Sequence, residues 1–219
     1  MSVLRQLIGR FKIQRRGGNH VVGWSMTAEE AVSFIRMRGK TVLTFFGYSG
    51  MGYEDEEGML QIVQDILSQY LPPKTLINIG ATEGGVGKAY VLAKSLGFET
   101  SGIVSTEALE YPDDISAAVD HICFIKDSQY GGKLPNSDEL SPTSRAMVDS
   151  SDILVAIGGN DISRDELLEG KKLGKPVQYF SADMSHERMI RRAQRMGKSM
   201  PKSFSGSCQE EFGEVKPRS

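Results

Sequence analysis

The chain has 219 residues, 39% apolar and 25% charged, with a formal net charge of -2. That is the balance of an ordinary globular protein long enough to bury one sizeable core, and it gives no overall pull toward nucleic acid or an anionic membrane. No apolar run approaches the ~20 residues that span a bilayer, no secretory signal pattern opens the chain, and Cys123 and Cys208 make no disulfide framework, so the default expectation is a cytoplasmic protein.

Residues 1–26 carry Arg5, Arg10, Lys12, Arg15 and Arg16 and no acid, interleaved with Val3, Leu4, Leu7, Ile8 and Phe11. This reads as a basic N-terminal arm, either a short amphipathic segment suited to a partner or a loosely attached stretch with solvated charges. Thr27 followed by Glu30 is a capping-box signature and predicts a helix over 28–38. The continuous apolar run TVLTFF over 41–46 predicts a strand buried on both faces of a parallel sheet, ending in the glycine-rich turn 47–52. A helix over 54–70 follows, with Met59, Ile62, Val63, Ile66 and Leu67 on one stripe, stopped by Pro72 and Pro73.

The stretch 74–109 repeats the pattern: a strand over 75–79, a loop with glycines at 80, 84, 85 and 87, a helix over 88–96 and a strand over 98–104. Further strands are predicted over 121–126, 153–157 and 176–180, with short helices over 143–150, 163–173 and 185–196 between and after them. The segment 127–141 is polar and rich in glycine and proline, a surface loop placed over the site, and 198–219 has no periodicity and reads as a disordered tail. Six strands alternating with helices specify an α/β fold. The expectation is a doubly wound, mostly parallel, Rossmann-like sheet with helices on both faces, spanning 27–197.

In such a sheet ligands bind beyond the carboxyl ends of the strands. Three glycine-bearing turns fall there: Gly47 to Gly52, Gly80 to Gly87, and Gly158 with Gly159. Glycine removes Cβ bulk and lets backbone N–H groups approach an anion, while tight strand–helix packing demands glycine too. The candidate phosphate-side residues are Gly47, Ser49, Gly50, Gly80, Thr82, Glu83, Gly84, Gly85, Gly87, Gly158 and Gly159. His20, His121 and His186 lack metal-ligand spacing, so no metal and no further cofactor is expected. Arg188, Arg191, Arg192, Arg195 and Lys198 form a basic helical face without interleaved aromatics, better read as solvated than as a nucleic-acid surface.

Two resemblances compete for the central loop. Glu83-Gly84-Gly85-Val86-Gly87-Lys88 resembles the deviant P-loop of ParA-type ATPases, yet Thr82 stands at the leading glycine and Ala89 at the Mg²⁺-binding hydroxyl. The longer match runs from Thr41 to about Phe180 and resembles the SLOG superfamily, which includes the LOG "lysine decarboxylase-like" nucleotide-binding proteins. There Gly47-Tyr48-Ser49-Gly50 resembles the family's phosphate-side loop after its first strand. Gly80, Gly84 and Gly87 fall on glycines of a GGGxxGLMGxxA turn, with Ala89 on its small residue. Ser151 to Gly159 resembles the strand that ends in PGG.

The resemblance implies a nucleotide-type ligand and a homodimer. In the enzymatic members it also implies hydrolysis of the N-glycosidic bond of a nucleoside 5′-monophosphate; a non-enzymatic ligand sensor is the other form. The family's PGGxGTxxE pattern departs here, with Ile157 at the proline and 158–166 one residue longer. On that comparison Glu166 or Asp165 supplies the catalytic carboxylate, Ser163 the hydroxyl, and Arg145, about two residues out of register, the upstream arginine. The competing readings are first-turn helix carboxylates for the two acids and a solvated helix arginine for Arg145. Tyr48 and Tyr130 either stack on a base or pack internally. His186-Glu187-Arg188 looks like the family's arginine string but follows the sixth strand, where it reads as coincidence.

Overall fold

The computed structural model describes residues 9–14 and 20–213. They form one eight-stranded sheet in the order β1-β2-β6-β5-β4-β3-β7-β8. The strands are β1 (Gly9–Gln14), β2 (His20–Met26), β3 (Thr41–Gly47), β4 (Thr75–Ile79), β5 (Glu99–Ser105), β6 (His121–Ile125), β7 (Ile153–Ile157) and β8 (Val177–Phe180). All ladders from β2 to β8 are parallel, and only β1 runs antiparallel, against β2. The six expected strands are present, and the two additional ones extend one edge.

That edge corrects the reading of 1–26 as an arm. Residues 9–14 and 20–26 are strands of the domain itself, with β2 in register on β6 from Gly23 opposite Ile122 to Met26 opposite Ile125. Gly23 is required there, because a Cβ at this position would stand 2.3 Å from the Phe124 ring. Residues 1–8 and 15–19 lie outside the described residues.

The helices are α1 (Ala28–Arg36), α2 (Glu56–Leu67), α3 (Ala89–Ser95, entered through a 3₁₀ turn at Gly85–Lys88), α4 (Pro142–Ser150), α5 (Asp161–Lys172), α6 (His186–Arg195) and α7 (Ser207–Phe212). The predicted capping box starts α1: the Thr27 N–H donates to Glu30 Oε2 at 2.8 Å and Glu30 N–H to Thr27 Oγ1 at 3.3 Å. Strand alternation sorts the core into two layers. Leu43, Phe45, Ile77 and Ile79 face α2 and α3, while Val42, Phe46, Leu76 and Leu154 face α1, α4 and α5.

A buried polar chain pins the central strands beneath α4. Asn78 Nδ2 donates to Thr44 Oγ1 at 3.3 Å, and Ser101 Oγ donates to Asn78 Oδ1 at 3.0 Å. Ser151 Oγ spends its proton on the Met147 carbonyl at 2.6 Å, so Thr44 is the donor in the 2.5 Å Thr44–Ser151 contact. Every member is satisfied, which fixes register across β3, β4 and β5.

The expected disordered tail is also corrected within 198–213. Cys208 on α7 is fully buried, Cys208 N–H donates to the Gly159 carbonyl at 3.1 Å, and Gly206 N–H donates to Tyr48 Oη at 2.8 Å. The segment therefore buttresses two of the glycine turns. Residues 214–219 lie outside the described residues.

Candidate functional site

In chain order the strands step from β3 through β4 and β5 to β6 on one side, and the chain then returns to place β7 on the other side of β3. This reversal is a topological switch point, where the loops leaving β3 and β7 diverge and open a crevice. A cleft of about 1110 Å³ lies there. Gly47, Ser49, Gly50, Gly80, Thr82, Glu83, Gly84, Ser163 and Glu166 line it, so the turns after β3 and β4 and the start of α5 meet in one volume.

The glycines divide by what a side chain would meet. A Cβ on Gly85 would stand 2.0 Å from the Tyr48 carbonyl oxygen, one on Gly87 1.8 Å from that of Thr82, and one on Gly158 2.4 Å from the Tyr48 ring. A Cβ on Gly47 would meet Tyr53 Oη at 2.0 Å, and one on Gly159 would meet Ser163 Cβ at 2.8 Å. These five are demanded by packing. Gly50 and Gly80 are different: a Cβ there would meet nothing within 4 Å, and on Gly84 only the Ser49 carbonyl at 3.9 Å. Their bare backbone borders the cleft. The next residue, Ala81, has φ 56°, a left-handed conformation costing about 1 kcal/mol for a non-glycine residue. Its carbonyl is tied to Ser116 N–H at 2.8 Å.

The loop's later N–H groups serve the protein. Glu83 N–H donates to the Asp114 carbonyl at 2.7 Å, Val86 N–H to that of Tyr48 at 2.7 Å and Gly87 N–H to that of Gly84 at 3.1 Å. Lys88 pairs with Glu56 on α2 and does not line the cleft, while Ala89 is buried. A P-loop lysine would have to face the ligand, so this placement removes the ParA-like reading.

Tyr53 clamps the first turn. Its hydroxyl donates to the Ile157 carbonyl at 2.8 Å and accepts from Tyr48 N–H at 3.1 Å, joining the ends of β3 and β7. Tyr53→Phe is expected to cost about 1–3 kcal/mol, because it strips partners from buried backbone groups; chemical denaturation measures it. Tyr48 is likewise committed to packing, donating to the Ala182 carbonyl at 3.0 Å. Tyr130 and Tyr111 line the cleft and are more than half exposed, with the Tyr130 hydroxyl donating to the Glu107 carbonyl at 3.5 Å.

The three residues expected to be catalytic separate. Glu166 lines the cleft, is 4% exposed, and accepts at Oε1 from Ser144 Oγ at 2.6 Å. Ser144 Oγ in turn accepts from Gly132 N–H at 2.7 Å, so the loop over 127–141 holds the acid's partner. Burial pushes the Glu166 carboxyl up to about 8; the Ser144 bond opposes this and the Asp165 charge reinforces it. That shift favours the protonated, neutral form of the acid near pH 7. Asp165 turns away, accepting at Oδ1 from Arg164 Nη2 at 2.9 Å, and does not line the cleft. Arg145 also points away, with Nη1 donating to Glu169 Oε1 at 3.0 Å, which holds the Glu169 carboxyl below its ordinary range.

The cleft arginine is Arg188 on α6, whose Nη1 donates to the Gly50 carbonyl at 3.0 Å. The string around it, set aside in the sequence as coincidence, is carried to the site because β8 lies beside β7 and Met184 bridges back to Tyr53. Glu83, Asp113, Asp114 and Asp161 also line the cleft, and Arg188 is the basic residue of the described lining.

No family model matches this chain, and no curated protein matches it. Solved structures of similar shape include the Moco carrier protein from Chlamydomonas reinhardtii, 21% identical over 72% of this chain and 85% of that one, with a TM-score of 0.45. A second structure of the molybdenum cofactor carrier protein from that organism is 19% identical over 73% of this chain and 99% of that one, at 0.46. The molybdenum cofactor binding protein from the phototrophic bacterium Rippkaea orientalis is 21% identical over 72% of this chain and 85% of that one, at 0.47.

Proposed function

We propose that this chain is a SLOG-type domain that binds a nucleotide-type small molecule with a single phosphate in the switch-point cleft. The observation that carries the reading is the bare backbone at Gly50 and Gly80, which lines the cleft and which the packing does not require. On this reading the phosphate lies toward Ser49, Gly50, Gly80 and the start of α5, whose first-turn N–H groups and dipole favour an anion, with Arg188 beside it. With Arg188 as the one basic residue of the described lining, a single phosphate is better matched than a triphosphate. In titration calorimetry, AMP or another nucleoside 5′-monophosphate should bind at least about tenfold more tightly than ATP, a difference of roughly 1.4 kcal/mol. Equal or tighter ATP binding sinks the reading, as does no binding by any monophosphate. The molybdenum cofactor, for which the similar carrier proteins are named, is a separate probe in the same assay.

One observation favours a catalytic version: the buried carboxyl of Glu166, raised by burial toward its protonated form, lines the cleft. Glu166 could then act as general acid, protonating the departing base while water attacks the ribose. This reading expects free base from a nucleoside monophosphate, followed by chromatography, and its loss in Glu166→Gln. Binding without base release leaves a non-enzymatic sensor or carrier. A homodimer and a cytoplasmic setting belong to the same proposal; light scattering tests the first. Among the described residues no helix is long and apolar enough to cross a membrane.

A further inference from the structure

The wall of the cleft includes a residue whose hydroxyl the fold does not use. Thr143, in the first turn of α4, is 3% exposed and lines the cleft, yet its Oγ1 is buried without a hydrogen-bond partner. It is not a helix cap. The Thr143 N–H is taken by Asp127 Oδ2 at 2.9 Å, so the start of α4 is secured from another loop. A buried hydroxyl left unpaired costs about 1–3 kcal/mol, which a partner arriving from the cleft would recover.

The neighbouring residue connects this hydroxyl to the buried acid. Ser144 donates to Glu166 Oε1, which leaves Oε2 as the oxygen available to the cleft. The walls here are apolar: Phe46, Ile103 and Met147 also line the volume. The two polar groups have complementary capacities, since a threonine hydroxyl both donates and accepts and a protonated carboxyl donates. Neither carries positive charge, so a full anion placed here would find no countercharge for the hydration it loses.

Resting on the nucleotide reading above, we propose that Thr143 Oγ1 and Glu166 Oε2 form a deep subsite that hydrogen-bonds the uncharged heterocycle of the ligand. The heterocycle enters first, between apolar walls, and the phosphate stays outside at the glycine turns. Thr143 is thereby a specificity-determining residue for the ligand's base rather than part of the anion seat.

The test uses the full chain with AMP, GMP, CMP, UMP and ribose 5-phosphate as probes, titrated by calorimetry. The wild type should bind its best nucleotide at least about tenfold more tightly than ribose 5-phosphate. Thr143→Val should weaken that nucleotide by about tenfold, leave ribose 5-phosphate unchanged, and raise the melting temperature without ligand, because an unpaired buried hydroxyl is replaced by a methyl of similar shape. Thr143→Ser should restore nucleotide affinity. A merely structural Thr143 would leave affinity unmoved. If Thr143→Val binds the nucleotide as the wild type does, or loses nucleotide and ribose 5-phosphate equally, the subsite is overturned while the nucleotide reading stands. If the wild type binds none of the five probes, the nucleotide reading falls and takes this inference with it.

Discussion

Gly85→Ala is expected to destabilise the protein by about 3 kcal/mol or more, lowering the melting temperature by roughly 10 °C, whereas Gly80→Ala, five residues earlier in the same loop, leaves stability within about 0.5 kcal/mol. Gly85 sits at φ 59°, and a Cβ there would stand 2.0 Å from the Tyr48 carbonyl oxygen and 2.3 Å from that of Ser49. Both are backbone atoms and cannot swing aside, so the turns after β3 and β4 would have to separate. That separation would break the 2.7 Å bond from Val86 N–H to the Tyr48 carbonyl. Gly80 has no such neighbour, and its φ lies outside the left-handed region. Its methyl group would enter the cleft, and the expected loss is in ligand affinity, at least about tenfold. Thermal unfolding and calorimetric titration of the two variants separate a glycine kept for packing from one kept for the ligand.

Glu166→Gln should change how stability depends on pH. The Glu166 carboxyl is raised to about 8 in the folded state from the ordinary glutamate value of about 4.5, chiefly by burial. Between those values the folded chain holds a proton that the unfolded chain has released. Stability linked to this group is therefore complete below pH 4.5 and is lost as pH rises through 8. The wild type should lose on the order of 3–5 kcal/mol relative to Glu166→Gln between pH 5 and pH 8. The Cys208 thiol, pushed up to about 12 by burial, keeps its proton over this range, and the Asp165 charge adds to the Glu166 shift. Denaturant unfolding at stepped pH values measures the divergence. Parallel profiles for the two proteins would show that the carboxyl titrates normally.

β3, β4, β6 and β7 were legible because each is a short run, mostly apolar, of the kind buried on both faces of a sheet, and β5 and the edge strand β8 followed from the strand–helix alternation around them. β1 and β2 were not. Arg10 and Lys12 make β1 read with the basic stretch around it, and in β2 the requirement for Gly23 exists only once Phe124 lies across it. The tail 198–213 has too little periodicity to predict, and what orders it is tertiary: Cys208 buried behind Gly159, and Gly206 bonded to Tyr48.

The site was legible as three glycine turns at strand ends, though not which glycines face open space, since that depends on neighbours remote in sequence. Helix phase explains the misplaced side chains. At about 100° per residue, Arg145 points roughly 200° from Thr143, so Thr143 faces the cleft and Arg145 reaches Glu169 on α5. The same phase turns Glu166 inward and leaves Asp165 with Arg164. Arg188 was invisible as a site residue because its position depends on β8 packing beside β7.

A crystal structure of the protein grown with AMP, or with whichever nucleoside monophosphate binds best, tests the central claim most directly. Density for the ligand is expected in the switch-point cleft, with the phosphate within hydrogen-bond distance of backbone N–H groups at Ser49, Gly50, Gly80 or the start of α5, and with the base toward Thr143 and Glu166. A ligand bound outside this cleft would contradict it, as would a phosphate seated against Glu166.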